Sequence, residues 1–187
     1  MPAISEARIM ILATDGFEQS ELEVPLHRLI EEGAVVEVVS PEGGEICGWE
    51  DKNWGMPVAS DRKLSDVDVG GYDALVLPGG QINPDVLRTN ADAVSFIRNF
   101  HASGKPLAAI CHAPWLLIEA GLIDGRRATS YHSIRTDMEN AGALWEDAET
   151  VRDGNIITAR KPDDLEAFVA AIIDAVETSG QQRTAAE

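Results

Sequence analysis

Leu107-Ala108-Ala109-Ile110-Cys111-His112-Ala113-Pro114 is a short apolar run that stops at a cysteine and a histidine and then meets a proline. A continuous apolar run of this length reads as a strand buried on both faces. Pro114 suits the first turn of a helix, where its fixed φ is already right and its missing N–H would have had no partner. Pro114 to Ala120 is therefore expected to be helical. Strand, tight turn, helix is the repeating unit of an α/β protein, and here it is expected to hold Cys111 exposed on the turn.

Similar units flank this one. Arg8 to Ala13 is apolar and closes in Thr14-Asp15-Gly16; between Glu18 and Glu32, Leu22, Leu26, Leu29 and Ile30 keep helical spacing, and Gly33 caps the element. Ala34 to Ser40 reads as a second strand, and Tyr72 to Leu77 as a central strand running into the glycine loop Pro78-Gly79-Gly80. Asn90 to Ser103 is amphipathic, with Val94, Ile97 and Phe100 on one face. Downstream follow a short strand near Ala128-Thr129, a helix from Ser133 to Ala141, a strand pair over Thr150 to Ala159 turning at Asp153-Gly154, and a helix from Pro162 through Val176. Residues 43–61 hold Trp49, Trp54, Met56 and Pro57 without a helical period and are expected to form a small irregular β excursion. The polar stretch 179–187 is expected to be a frayed tail.

Strands alternating with helices imply a mostly parallel sheet covered on both faces, because parallel strands need crossover connections. The expected architecture is α/β, a flavodoxin-like three-layer sandwich in one domain spanning 1–187. In such sheets ligands bind at the carboxyl ends of strands near a switch in strand order. Three segments with chemical potential follow strand ends: Asp15 to Glu18, Pro78 to Gly80, and Cys111-His112.

Composition narrows the function. With 32 acidic against 15 basic residues the formal net charge is -17, a field that repels phosphate backbones and anionic lipid, so neither nucleic acid nor a membrane is expected as a partner. No apolar run approaches the roughly 20 residues of a bilayer span, and Met1 to Arg8 lacks the form of a secretion signal; the expected location is cytoplasmic. Two cysteines, Cys47 and Cys111, are too few for a metal cage of the usual kind. Pro78-Gly79-Gly80 has no phosphate-cradling pattern. No metal and no organic cofactor are expected.

The chemistry therefore rests on Cys111. A cysteine that starts a helix sits among unpaired N–H groups and positive potential, which is expected to lower its pKa. The turn is like the nucleophile elbow of hydrolases, where the N–H after the nucleophile helps form an oxyanion hole. By that logic the N–H of His112 is one donor, and Gly79-Gly80, lacking side chains, can bring up a second. His112 acts as base if the turn folds its ring back, with a third group to orient it. His132, close behind Tyr131 and also after a strand end, could reach the same mouth. Glu18, at the end of the first strand, is expected beside the sulfur as a protonated carboxyl. His27 and His101 lie in helical stretches and Cys47 in the irregular segment, and all three read as structural.

Asp15-Gly16-Phe17-Glu18, Leu75-Val76-Leu77-Pro78-Gly79-Gly80 and Ala109-Ile110-Cys111-His112-Ala113-Pro114 together resemble the PfpI family of intracellular cysteine peptidases and stress proteins, a branch of the class I glutamine-amidotransferase-like superfamily. Thr129-Ser130-Tyr131 and Asp137-Met138-x-Asn140-Ala141-Gly142-Ala143 continue the match, which covers about Arg8 to Val176. The resemblance implies a nucleophilic Cys111, a Glu18 hydrogen-bonded to its sulfur, and an oxyanion hole from the N–H groups of Gly80 and His112. It further implies that His112 is completed by an acid from a neighbouring subunit, for which Asp85 is the best match, in a homodimer or larger homo-oligomer. The late His-x-Glu pair of the true amidotransferases is missing.

The expected function is a cysteine-dependent stress-response hydrolase acting on a peptide or a small carbonyl substrate, as a peptidase or with deglycase- or glyoxalase-like activity. The rival is a non-enzymatic redox sensor or chaperone working through oxidation of Cys111.

Overall fold

The computed structural model describes residues 3–184, with side chains through residue 179. Strand β1 (Arg8–Leu12) leads through a two-residue β2 (Phe17–Glu18) into helix α1 (Gln19–Glu31), and β3 (Val35–Ser40) follows. A hairpin of β4 (Gly44–Glu50) and β5 (Asn53–Ser60) and a short β6 (Arg62–Lys63) precede β7 (Ala74–Leu77). Next come α2 (Ile82–Leu87), α3 (Ala91–Ala102), β8 (Leu107–Ile110), α4 (Pro114–Glu119) and β9 (Arg127–Ala128). The chain finishes with α5 (Arg135–Asn140), β10 (Leu144–Trp145), β11 (Thr150–Asp153), β12 (Ile156–Ala159) and α6 (Leu165–Thr184).

The main sheet has seven strands in the order β11-β12-β8-β7-β1-β3-β6. Every pairing is parallel except that of β11 with β12. Strand side chains alternate between its two faces, as the pleat requires. Met10, Leu12, Leu75, Leu77, Leu107 and Ala109 face a core shared with Val94, Ile97 and Phe100 of α3, Leu116 and Leu117 of α4 and Met138 of α5. Ile9, Ile11, Val76, Ala108 and Ile110 face the opposite core, with Leu22 and Leu29 of α1 and Phe168 and Ile172 of α6. The result is the expected three-layer α/β sandwich.

The strand order reverses between β1 and β7: from β1 the chain moves outward to β3 and β6, then returns to β7 and continues through β8 to β12. The loops after β1, β7 and β8 therefore converge at one end of the sheet, where a doubly wound fold places its ligands.

Residues 43–61 form the expected β excursion as a hairpin that turns at Asp51 and Lys52, both at positive φ, carries an irregularity between Cys47 and Trp49, and joins β2 in a separate three-stranded sheet, β2-β4-β5. Other segments differ from the sequence expectation. Helix α2 was not anticipated, because Pro84 sits inside so short an element. Helix α6 continues to Thr184 beyond its expected end at Val176, so the frayed tail is corrected to helix over 179–184, while 185–187 lie outside the described residues. The helix expected over Ser133 to Ala141 is α5 preceded by a 3-10 turn, His132–Ile134.

Among the described residues no helix is long and apolar enough to cross a membrane, and no three His, Cys, Asp or Glu side chains gather in a metal-binding group.

Candidate active site

Cys111 is one of three non-glycine residues with positive φ among those described, at +65°. Most side chains avoid this left-handed region at a cost of about 1–2 kcal/mol, so the elbow is held by its surroundings. The Cys111 N–H donates to the Ala159 carbonyl at 3.0 Å, the Tyr131 N–H donates to the Cys111 carbonyl at 2.8 Å, and the Ala113 N–H closes the turn on the Ile110 carbonyl at 3.0 Å. The neighbouring strand β12 and the loop that follows β9 thus fix the two sides of the bend.

The glycine loop completes the wall. A Cβ on Gly79 would lie 2.7 Å from Cys111 Cβ and from the Ile110 carbonyl oxygen. A Cβ on Gly80, at φ +76°, would run into backbone atoms of Gly16, Phe17 and Glu18. Only glycine permits both contacts. In return the N–H groups of Gly80 and His112 are directed at the Cys111 sulfur, the two donors expected from sequence. Asn83, buried in α2 and missed in the sequence analysis, ties the loops together: its side-chain amide donates to the Pro78 carbonyl at 2.8 Å and its oxygen accepts the Thr14 N–H at 2.7 Å.

The carboxyl beside the sulfur is Glu21, and the expectation for Glu18 is corrected. Glu18 is the N-cap of α1, its carboxylate accepting the Glu21 N–H at 2.9 Å and the Ser20 hydroxyl at 2.6 Å. Capping of this kind satisfies an orphan backbone donor and complements the helix dipole. Glu21, one turn in, is fully buried. Its Oε2 accepts the Gly79 N–H at 2.8 Å; its Oε1 is buried with no nitrogen or oxygen partner among the described residues. Burial, reinforced by the negative charge of Glu18, lifts the Glu21 pKa to about 8. At neutral pH Glu21 is a neutral carboxylic acid facing the sulfur.

The sulfur is not the exposed thiolate expected at a helix N-terminus. Cys111 is 5% exposed, and burial pushes its thiol up, with charge on Glu21 acting in the same direction and the Gly80 and His112 amides opposing. Helix α4 is only six residues long, so its field is small beside the desolvation of a buried anion. The resting centre is a neutral thiol.

His112 does fold back. Its Nδ1 lies 3.1 Å from Cys111 Sγ and its Nε2 lies 3.1 Å from Ser133 Oγ. The ring stacks on Tyr131 with centroids 4.8 Å apart and meets Trp115 edge-on at 5.2 Å. Burial, with a smaller contribution from nearby His132, lowers its pKa to about 4, so the imidazole is neutral and able to accept a proton over the physiological range. His132 is exposed, lies against Tyr131 at 4.4 Å, and does not reach the sulfur. Tyr131 and His132 also line a cavity of about 260 Å³ with Trp145, Asp147, Arg160 and Lys161. Asp85 lies on the surface of α2 in an ion pair with Arg88 at 2.6 Å, and no carboxylate of the same chain bonds to His112 among the described residues. Cys47 keeps a structural place, with its sulfur 3.5 Å from the Gly55 carbonyl.

A family model described as DJ-1/PfpI matches residues 7–175. The chain is 44% identical to the deglycase PfpI of Pyrococcus furiosus over 89% of its own length and 97% of that protein. It is 41% identical to protein/nucleic acid deglycase 2 of Escherichia coli, over 86% of its own length and 92% of that protein. Among solved structures it matches a two-domain protein from Anabaena variabilis containing DJ-1/ThiJ/PfpI-like and ferritin-like domains, with a TM-score of 0.85 and 35% identity. That match covers 90% of this chain and 47% of the two-domain protein.

Proposed function

The chain belongs to the DJ-1/PfpI family, and we propose that it is a cysteine-dependent stress-response hydrolase whose substrates are small carbonyl compounds and the adducts they leave on other molecules. The observation that carries this reading is Cys111, held at a strained bend with a neutral imidazole nitrogen 3.1 Å from its sulfur. A thiol and a base at this separation, with amide donors beside them, form the unit needed for addition to a carbonyl.

In the first step His112 Nδ1 takes the thiol proton as Sγ bonds to the carbonyl carbon, and the carbonyl π pair moves onto its oxygen. The N–H groups of Gly80 and His112 receive the growing negative charge, and the uncharged Glu21 adds none of its own. Imidazolium His112 then returns the proton to that oxygen, which leaves a hemithioacetal on sulfur. Transfer of the proton on the sulfur-bearing carbon to the neighbouring carbonyl carbon through an enediol turns this adduct into a 2-hydroxyacyl thioester. Water attacks its acyl carbon, the C–S bond breaking to release the hydroxy acid and the sulfur taking a proton to restore the thiol.

Narrow access favours the small-carbonyl reading over an extended peptide. Cys111 is 5% and His112 is 6% exposed, and the Tyr131 ring covers the imidazole; a dicarbonyl or an adduct at a side-chain tip reaches such a sulfur more readily than a peptide bond in a folded substrate. The names of the archaeal and bacterial deglycases support the same class. A second copy of the chain is the proposed partner, supported by the exposed apolar side chains Ile82 and Val86 that flank Asp85 on α2, and a cytoplasmic location suits a reduced catalytic thiol.

The experiment is turnover of methylglyoxal and of a methylglyoxal-modified peptide by the purified protein and by Cys111→Ser. Loss of both activities in the variant supports the reading. Equal rates in the two proteins overturn it.

A further inference from the structure

The imidazole of His112 is bonded at both nitrogens within one chain. Nδ1 faces the Cys111 sulfur and Nε2 faces the Ser133 hydroxyl, each at 3.1 Å. Neither the sequence motifs nor the resemblance assigned any role to Ser133, and the position usually taken by a carboxylate in such relays is here held by an uncharged oxygen. The nearest sequence candidate for that acid, Asp85, is turned to Arg88.

Ser133 is not placed by chance. It is the middle residue of the 3-10 turn His132–Ile134, and the residue before that turn, Tyr131, donates its N–H to the carbonyl of Cys111 at 2.8 Å. The same turn closes through the Ile134 N–H on the Tyr131 carbonyl at 3.1 Å. The backbone that carries Ser133 is thereby stitched to the elbow, and the Tyr131 ring between them stacks on the imidazole. Ring plane and Nε2 direction are set together.

We propose that Ser133 is the positioning residue of an in-chain Cys111–His112–Ser133 relay: its Oγ accepts the Nε2–H and so leaves the Nδ1 lone pair aimed at the thiol. A hydroxyl can accept this hydrogen bond while its own proton points to solvent, and Ser133 is exposed. When Nδ1 takes the thiol proton, the same bond holds the imidazolium in line. A neutral acceptor does this without the strong basicity that a carboxylate would impose on the ring. The role rests on the hydrolase reading for its consequence in turnover, but the tautomer it fixes is a property of the resting protein.

The test uses the full-length protein labelled with nitrogen-15 at histidine. At pH 7 the wild type is expected to give His112 signals of a single neutral form, Nε2 protonated and Nδ1 bare. Ser133→Ala is expected to give mixed tautomers and about a tenfold loss in kcat with KM little changed, the scale of one lost hydrogen bond. Alkylation of Cys111 by iodoacetamide should slow by a similar factor, and Ser133→Thr should restore all three readings. Unchanged tautomer and alkylation rate in Ser133→Ala overturn the proposal, as does an untouched kcat in Ser133→Ala beside a collapsed kcat in Asp85→Asn, which would hand Nε2 to an acid from a second copy. A wild type that turns over no carbonyl substrate while Ser133→Ala still scrambles the tautomer supports the positioning role and removes the hydrolase reading alone.

Discussion

The Glu21 carboxyl and the Cys111 thiol occupy one buried site under the Gly79-Gly80 loop, where burial raises both pKa values and charge on Glu21 raises that of Cys111 further, while the hydrogen bond between the two side chains pulls Glu21 the other way. The site therefore holds two acidic groups kept neutral by lack of water. One anion at a time is the arrangement that chemistry at the sulfur requires.

Activity should follow a bell-shaped pH profile. Its acid limb should lie near pH 4, where His112 becomes protonated and can no longer accept the thiol proton. Its alkaline limb should lie near pH 8, where ionised Glu21 opposes negative charge on sulfur. Glu21→Gln should remove the alkaline limb and leave the acid one; kcat/KM measured from pH 3.5 to 10 on both proteins decides this.

Stability should carry the same signature. A carboxyl whose folded pKa is raised from 4.5 to about 8 holds its proton in the native state while the unfolded chain has lost it. Its contribution is fully present below pH 4.5 and is lost as pH rises through about 8. Urea unfolding at pH 5 and pH 9 should show Glu21→Gln flattening that fall by about a few kcal/mol. A fall of equal size in the variant contradicts the assignment.

Opening the ring environment should raise the His112 pKa. Tyr131→Ala removes the stacked face and admits water, so the NMR titration midpoint of His112 should climb from near 4 toward the ordinary imidazole value. The acid limb of the rate profile should move with it.

Backbone strain at the elbow gives an inverted preference. At φ +65° Cys111→Gly should be more stable than Cys111→Ala by about 1 kcal/mol, whereas glycine loses to alanine at ordinary helix and strand positions. Thermal denaturation of the two inactive variants reads the difference directly.

Gly79→Ala should cost about 2–4 kcal/mol of stability and about a hundredfold or more in turnover, because the added methyl must displace Cys111 Cβ or the Ile110 carbonyl. Denaturant midpoints and kcat/KM together separate the two losses.

Much of this site is legible in the sequence because the motif is local. The apolar run, the cysteine and Pro114 define strand, elbow and helix without any long-range contact. Glu18 misled because several acids crowd the start of α1, and the first after the strand looks nearest the sheet edge. Helical periodicity held the answer: Glu21, Pro25 and Leu29 share the buried face at four-residue spacing, while Glu18 stands outside as the cap. The thiol pKa was misjudged for another reason, since burial depends on how tightly Gly79, Gly80 and Glu21 close over the sulfur, and no single stretch of chain encodes that. Ser133 was invisible because nothing in its own neighbourhood announces that the fold carries it to a histidine in another loop.

The bend at Cys111 is secured by the carbonyl of Ala159 and the N–H of Tyr131, both far downstream in the chain. The bend thus depends on β12 docking beside β8 and cannot form from the strand and helix around Cys111 alone. Until the segment carrying residue 159 has emerged and docked, the cysteine has no reason to leave relaxed geometry, and the nascent chain carries an ordinary thiol through the period when it is least protected.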